Sequence, residues 1–181
     1  MHIFPTLSTD RLVLRELTVE DIPNLRAIHS DVHHMRWFGV DPVVNLSQAE
    51  NLFQIFQSTF STGVGVRWAI ERRSDNAFLG TCGLFKWNKA WHSCAIGYEL
   101  ASFAQGHGYM REALSTAISY GFNTMKLNRI EAQVHTDNIR SITTLNTLGF
   151  ICEGLQRQAG YWHNNYHDLY QLSLIRLDYD A

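Results

Sequence analysis

The sequence predicts an α+β protein, and the changes in its hydrophobic period carry that prediction. Apolar residues fall three and four apart at Ala49, Leu52, Phe53, Phe56 and Phe60, then alternate at Val66, Trp68 and Ile70. Helical spacing returns at Met110, Ala113, Leu114, Ala117, Ile118, Gly121, Phe122 and Met125. Helices and strands therefore mix along one chain, with a strand, helix, strand, helix, strand unit in the second half.

The elements follow in order. Arg11 to Arg15 reads as a strand, and Thr18 followed by Asp21 starts a helix that carries Ile22, Leu25, Ile28 and Val32. Ser47 with Glu50 is the pattern of a capping box for the next helix. The alternation from Val66, with further strand-like runs at Phe78 to Phe85 and Cys94 to Leu100, predicts an antiparallel meander. A long helix follows from Gly106. Arg129 to His135 returns to alternation, and Asn138 to Leu148 reads as a helix ended by Gly149. From Phe150 onward two strands meet near His163-Asn164-Asn165.

Composition narrows the function. With 181 residues, 45% of them hydrophobic, residues 1–181 suit a single domain with a sizeable core. Fifteen Lys and Arg against seventeen Asp and Glu give a net charge of -2, so nucleic acid and anionic membranes are not expected partners. The opening Met1-His2-Ile3-Phe4-Pro5 has no secretion-signal pattern, and a cytoplasmic protein is expected. Cys82, Cys94 and Cys152 are too scattered for a disulfide framework or zinc cluster and are expected to be reduced, mostly buried thiols. His29 and His33, one helical turn apart, lack further ligands and are expected at the surface, so no metal is expected.

The chemistry concentrates after Leu100. Two close glycines, Gly106 and Gly108, precede the long helix, where free N–H groups and the helix dipole favour a phosphate and Arg111 adds positive charge. Glycines here also suit a tight turn, and neither a dinucleotide-type nor a P-loop spacing is present. Asn138 and Ser141 share a helix face but equally fit an N-cap and first turn.

Four ordered segments narrow the reading: Thr9 to Arg15, Ile96-Gly97-Tyr98-Glu99-Leu100, Gln105 to Ala113, and Asn138-Ile139-Arg140-Ser141 with Leu148-Gly149-Phe150. Together they resemble the GNAT superfamily of acetyltransferases, in its branch of RimJ/RimL-type ribosomal-protein N-acetyltransferases. The resemblance implies a mostly antiparallel twisted sheet with helices on both faces and a V-shaped split between two central strands. It implies acetyl-CoA as co-substrate, its phosphates on Gln105, Gly106, His107, Gly108, Tyr109, Met110 and Arg111. Met110 departs from the Gly or Ala of the superfamily pattern, yet binding through backbone N–H groups tolerates a side chain turned to the core.

The same resemblance places an N–H near Leu100 at the thioester carbonyl, and Asn138 and Ser141 beside the thiol end. Leu145 stands where many of these enzymes carry an acidic tyrosine, which makes Ser141 the expected proton donor. Glu99, His135 and Glu153 are the candidate bases, Glu99 being preferred. Trp37 and Tyr161 are expected on the acceptor side, while Trp87, Trp91 and Trp162 more readily serve the core or loops. The acceptor is a primary amine, either a protein N-terminal α-amine or a small molecule such as a polyamine, amino acid or toxin. A non-catalytic acyl-CoA sensor is the alternative outside enzymes, and a homodimer is left open.

Overall fold

A computed structural model describes residues 3–180, with the side chain of His34 excepted; Met1 and His2 of the opening segment and Ala181 lie outside the described residues. The architecture is one eight-stranded sheet in the order β1-β2-β3-β4-β5-β6-β8-β7. Its strands are β1 (Leu7–Ser8), β2 (Leu12–Arg15), β3 (Val66–Arg72), β4 (Phe78–Asn88), β5 (Ser93–Leu100), β6 (Arg129–His135), β7 (Ile151–Trp162) and β8 (Asn165–Ile175). All neighbours are antiparallel except β5 and β6, which are parallel. A parallel pair requires a crossover, and the long helix α4 supplies it.

The helices are α1 (Ile22–His29), α2 (Val32–Met35), α3 (Leu46–Ser61), α4 (Tyr109–Asn123), α5 (Ile139–Thr147) and α6 (Arg176–Tyr179). They cover both faces. Trp68, Ile70, Leu84 and Ile96 pack with Ala113, Leu114, Ala117 and Phe122 of α4 and Leu145 of α5. Ala69 and Phe78 pack on the opposite face with Leu25 and Ile28 of α1 and Phe53 of α3. Adjacent residues Trp68, Ala69 and Ile70 thus serve different cores, which is why β3 is buried through five successive positions.

Several sequence expectations shift locally. Asn45 caps α3 by accepting from Gln48 N–H at 2.9 Å, while the Gln48 side chain accepts from Val44 N–H at 2.7 Å. The cap is therefore Asn45, with Gln48 reaching back one residue further to Val44, and Ser47 lies inside the first turn. The first helix stops at His29 because Asp31 accepts from His33 N–H at 2.9 Å and begins the separate α2, leaving Val32 exposed. Met125 lies past the end of α4 but stays in the core. Cys82 and Cys94 are buried as expected; Cys152 is exposed on β7. His29 is buried, contrary to the surface position expected of it. No helix among the described residues is long and apolar enough to cross a membrane.

Candidate active site

The sheet opens where its one parallel pair fails. Ser93, Cys94 and Ala95 pair with Arg129, Ile130 and Glu131, after which β5 has no further β6 partner. From Ala132 to His135, β6 stays bonded only to β8. This is the V-shaped split, closed near Arg129 and open toward Leu100 and His135. Ala101 N–H donates to Leu79 O at 2.7 Å, toward β4. Because backbone groups alternate along a strand, the Leu100 N–H faces the split. A backbone donor thus faces the slot from its wall.

Around its open end the structure gathers most of the predicted cofactor residues. Gly106 and Gly108 have φ of +80° and +76°, a left-handed conformation that costs a side-chain-bearing residue free energy. A Cβ at Gly106 would meet nothing within 4 Å and one at Gly108 only Arg11 Nη2 at 3.6 Å, so conformation explains both glycines better than crowding. No side chain caps α4, which leaves its first N–H groups directed at the loop. Met110 packs against the core, so its side chain is turned away as expected.

Four contacts fix this loop and the start of α4 to their neighbours. Gln105 Nε2 donates to Leu100 O at 3.4 Å, and Gln105 Oε1 accepts from Arg140 Nη1 at 2.7 Å, joining strand end, loop and α5. Arg11 donates to His107 O at 3.0 Å and to Glu112 at 2.6 Å, bracing the loop from the strand segment at the other end of the chain. An open cavity of about 700 Å3 beside it is lined by Arg11, Gly108, Arg111, Glu112 and Thr116, among others.

At the start of α5, Asn138 Oδ1 accepts from Ser141 N–H at 3.2 Å, making Asn138 the N-cap. Its side-chain NH2 is what it has left to offer a ligand. The Ser141 hydroxyl lies 2.6 Å from the Tyr98 hydroxyl, across the slot. Burial pushes the Tyr98 phenol up to about 12, against a smaller opposing effect of the Ser141 bond. Leu145 is fully buried among core residues, so this position supplies packing and no acid.

The opposite face of β5 carries a different network. Glu99 is buried with Arg67, Thr81 and His29; the Arg67 guanidinium and Thr81 hydroxyl donate to its carboxylate, and His29 Nε2 lies 3.4 Å from Oε1. Burial alone would raise the Glu99 carboxyl, but the Arg67 charge and the His29 and Thr81 contacts outweigh it, so its affinity for a proton falls below the ordinary value. Phe56 lies under the Arg67 guanidinium at 3.9 Å and Phe38 stands edge-on to His29 at 5.2 Å.

His135, at the open end of β6, heads a hydrogen-bonded chain of two imidazoles. Asp137 N–H donates to His135 Nδ1 at 3.1 Å, so Nε2 carries the hydrogen and donates to His167 Nδ1 at 3.2 Å. His167 Nε2 then donates to Trp162 O at 3.1 Å. Burial is the largest of the effects that lower the His135 pKa. Both ring nitrogens of His135 are occupied, leaving no lone pair for a substrate proton.

Trp37 packs against His135 with ring centroids 4.5 Å apart. Tyr161 instead points outward against Tyr166, and its neighbour Trp162 takes the inward place, donating to Arg36 O at 2.9 Å. Glu153 is not brought to the opening: it bonds Arg129 at the closed end, and that arginine with Ser173 holds its carboxyl down at about 2. Sequence reading missed Tyr98, Arg67, Thr81 and His29 as neighbours of the site. Alternation did place Tyr98 on the face of Ile96 and Leu100, but only the fold brings α5 within reach of it.

These features are those of an acyl-CoA-binding transferase, and comparison with known proteins agrees. Residues 11–151 match the family model described as Acetyltransferase (GNAT) domain, and the chain belongs to this family. It is 34% identical over 174 residues to Uncharacterized N-acetyltransferase YoaA of Bacillus subtilis (strain 168), covering 96% of this chain and 98% of the relative. A shorter match, 36% over 80 residues, joins 42% of this chain to 41% of the [Ribosomal protein uS5]-alanine N-acetyltransferase of Escherichia coli (strain K12). In fold it is similar to spermidine N-acetyltransferase from Vibrio cholerae in complex with CoA and spermine, with a TM-score of 0.84, 20% identity, and coverage of 96% of this chain and 100% of that one. RimJ of Mycobacterium smegmatis in complex with CoA-disulfide gives a TM-score of 0.80 at 24% identity over 92% and 82% of the two chains. The chain is an acetyl-CoA-dependent N-acetyltransferase with RimJ-like relatives.

Proposed function

We propose that residues 1–181 act as one domain that transfers an acetyl group from acetyl-CoA to a protein N-terminal α-amine, in the cytoplasm, by direct attack. The observation that carries the transfer chemistry is the split beside β5, which puts an outward backbone donor at Leu100, an uncapped helix end at Gly108 and the Tyr98–Ser141 pair around one opening.

In this reading, the loop from Gln105 to Arg111 holds the cofactor phosphates through backbone N–H groups. Asn138 offers its amide NH2 to the pantetheine arm. Leu100 N–H stabilises the oxyanion that forms as the amine lone pair attacks the thioester carbon. When the C–S bond breaks, Ser141 gives its proton to the sulfur and the adduct loses its amine proton to solvent. Glu99, enclosed by Arg67, Thr81 and His29, is proposed to fix the end of β5 through that ion pair and not to act as the base. Trp37 helps form the wall against which the acceptor rests.

Three further observations support direct attack and an α-amine. Burial pushes the Cys82 and Cys94 thiols up to about 12, which removes their thiolates, and Cys152 lies on the edge strand, so none suits an acetylated intermediate. Glu99 is balanced by Arg67, which leaves that buried face without the net negative charge a polycation would seek. The uS5-alanine relative acts, by its name, on a protein alanine. Release of CoA from acetyl-CoA with N-terminal peptides, polyamines and amino acids tests the choice. Turnover with peptides is expected; turnover with polyamines alone would reverse the acceptor, and release with none would return the chain to an acyl-CoA sensor.

A further inference from the structure

We propose that Tyr98 is a positioning residue for acetyl transfer: its phenol O–H donates to Ser141 Oγ and so aims the Ser141 hydrogen into the slot, at the departing sulfur. The inference rests on the reading of Ser141 as proton donor and adds what orients it. Tyr98 reaches Ser141 from β5, the wall opposite α5, and the two oxygens lie 2.6 Å apart.

The direction of this bond follows from satisfaction of hydrogen-bonding groups. Tyr98 is mostly buried, and among the described residues Ser141 Oγ is the one hydrogen-bond partner of its hydroxyl. A buried O–H without an acceptor is costly, so the phenol keeps its bond by donating. Were Ser141 the donor, the phenol hydrogen would be stranded in apolar surroundings. With Tyr98 donating, one Ser141 lone pair is occupied and its hydroxyl hydrogen is left to turn toward the opening. A serine hydroxyl otherwise rotates freely, and rotation away from the sulfur would waste its proton. Burial also keeps the phenol protonated, since its pKa is pushed up to about 12.

No proton need leave Tyr98 in this scheme. The Ser141 O–H bond breaks as the S–H bond forms, and in the same step Ser141 Oγ takes up, through water, the proton that the adduct nitrogen releases, so no alkoxide stands beside the more acidic phenol. This separates Tyr98 from a second acid, whose loss would matter even without Ser141.

A double-mutant cycle with Tyr98→Phe and Ser141→Ala tests the inference, reading kcat, acetyl-CoA Kd and Tm on each variant. Tyr98→Phe removes one oxygen and keeps the ring that packs on the core. It is expected to lower kcat about fivefold to tenfold, the order of one hydrogen bond, with Kd within about twofold. In the Ser141→Ala background the same change is expected to leave kcat unaltered. Tyr98→3-fluorotyrosine, which keeps the O–H, is expected to retain wild-type kcat. Equal losses in both backgrounds, or a parallel rise in Kd and fall in Tm without the kcat split, would make Tyr98 structural and overturn the proposal. Normal turnover of Tyr98→Phe beside a slow Ser141→Ala would overturn it while leaving Ser141 the donor. Normal turnover of Ser141→Ala would remove the reading beneath both.

Discussion

The two faces of β5 differ in what their polar groups are bonded to. On the α4 and α5 face, the groups that point into the opening are backbone N–H donors and one pair of neutral hydroxyls, with the charged Arg11, Glu112 and Arg140 bracing the loop around them. On the α1 and α3 face, Glu99 sits in an ionic network with Arg67 and is closed in by Thr81, His29 and two phenylalanines. Neutral donors can serve a phosphate or a developing oxyanion without first breaking another charged contact. The ionic network instead has its charge already spent within the protein. One face is thus equipped for the reaction, and the other sets and stabilises the field in which it occurs.

Breaking the ionic face is expected to have the largest effect, on stability. Arg67→Met leaves the buried Glu99 carboxylate without its counter-charge and should cost about 3–5 kcal/mol, a fall in Tm on the order of 10 °C. Adding Glu99→Gln should restore much of it, since the orphaned charge is gone. The wild-type network is also pH-dependent. The folded Glu99 value is depressed, so its contribution is complete above the unfolded value, near 4.5, and is lost as pH falls through the folded one. Thermal melts across the acid range should show wild type losing stability more steeply than the double variant.

Breaking the neutral face is expected to spare stability and remove rate. Ser141→Ala should lower kcat on the order of a hundredfold while acetyl-CoA affinity stays near wild type, because a transition-state interaction is lost and ground-state binding remains. A first-turn role alone would cost about 1 kcal/mol of stability and leave kcat intact. Steady-state rates and melts on the same preparation separate the two. Trp37→Ala should have the smallest effect, raising the acceptor KM a few-fold with kcat nearly unchanged.

The same contrast explains what the sequence could reveal. Periodicity located β3, α4 and β6, because a half-buried strand or helix writes its buried face into the order of residues. Cofactor-loop glycines were legible for a similar reason: left-handed backbone at Gly106 and Gly108 is a local demand. The Ser47 and Glu50 pattern misplaced a cap by two residues because Asn45 and Gln48 offered the same chemistry nearby. His29 looked like a surface residue because its partner, Glu99, is seventy positions away. Tyr98 met Ser141 for a reason no local pattern holds, namely that β5 and β6 part and α5 folds back toward the gap. Local conformational demands are visible in sequence, whereas cross-chain polar partners depend on topology.

Calorimetric titration of acetyl-CoA into wild type, Gly108→Val and Trp37→Ala tests most directly the central claim that the cofactor is held by the phosphate loop and the acceptor by the separate wall at Trp37. Gly108 occupies left-handed backbone in the phosphate loop, where valine is strained by roughly 1–3 kcal/mol, so its Kd should rise about tenfold or more. Trp37→Ala should bind acetyl-CoA as wild type does. An unchanged Kd for Gly108→Val, or an equal loss in both variants, would contradict the division.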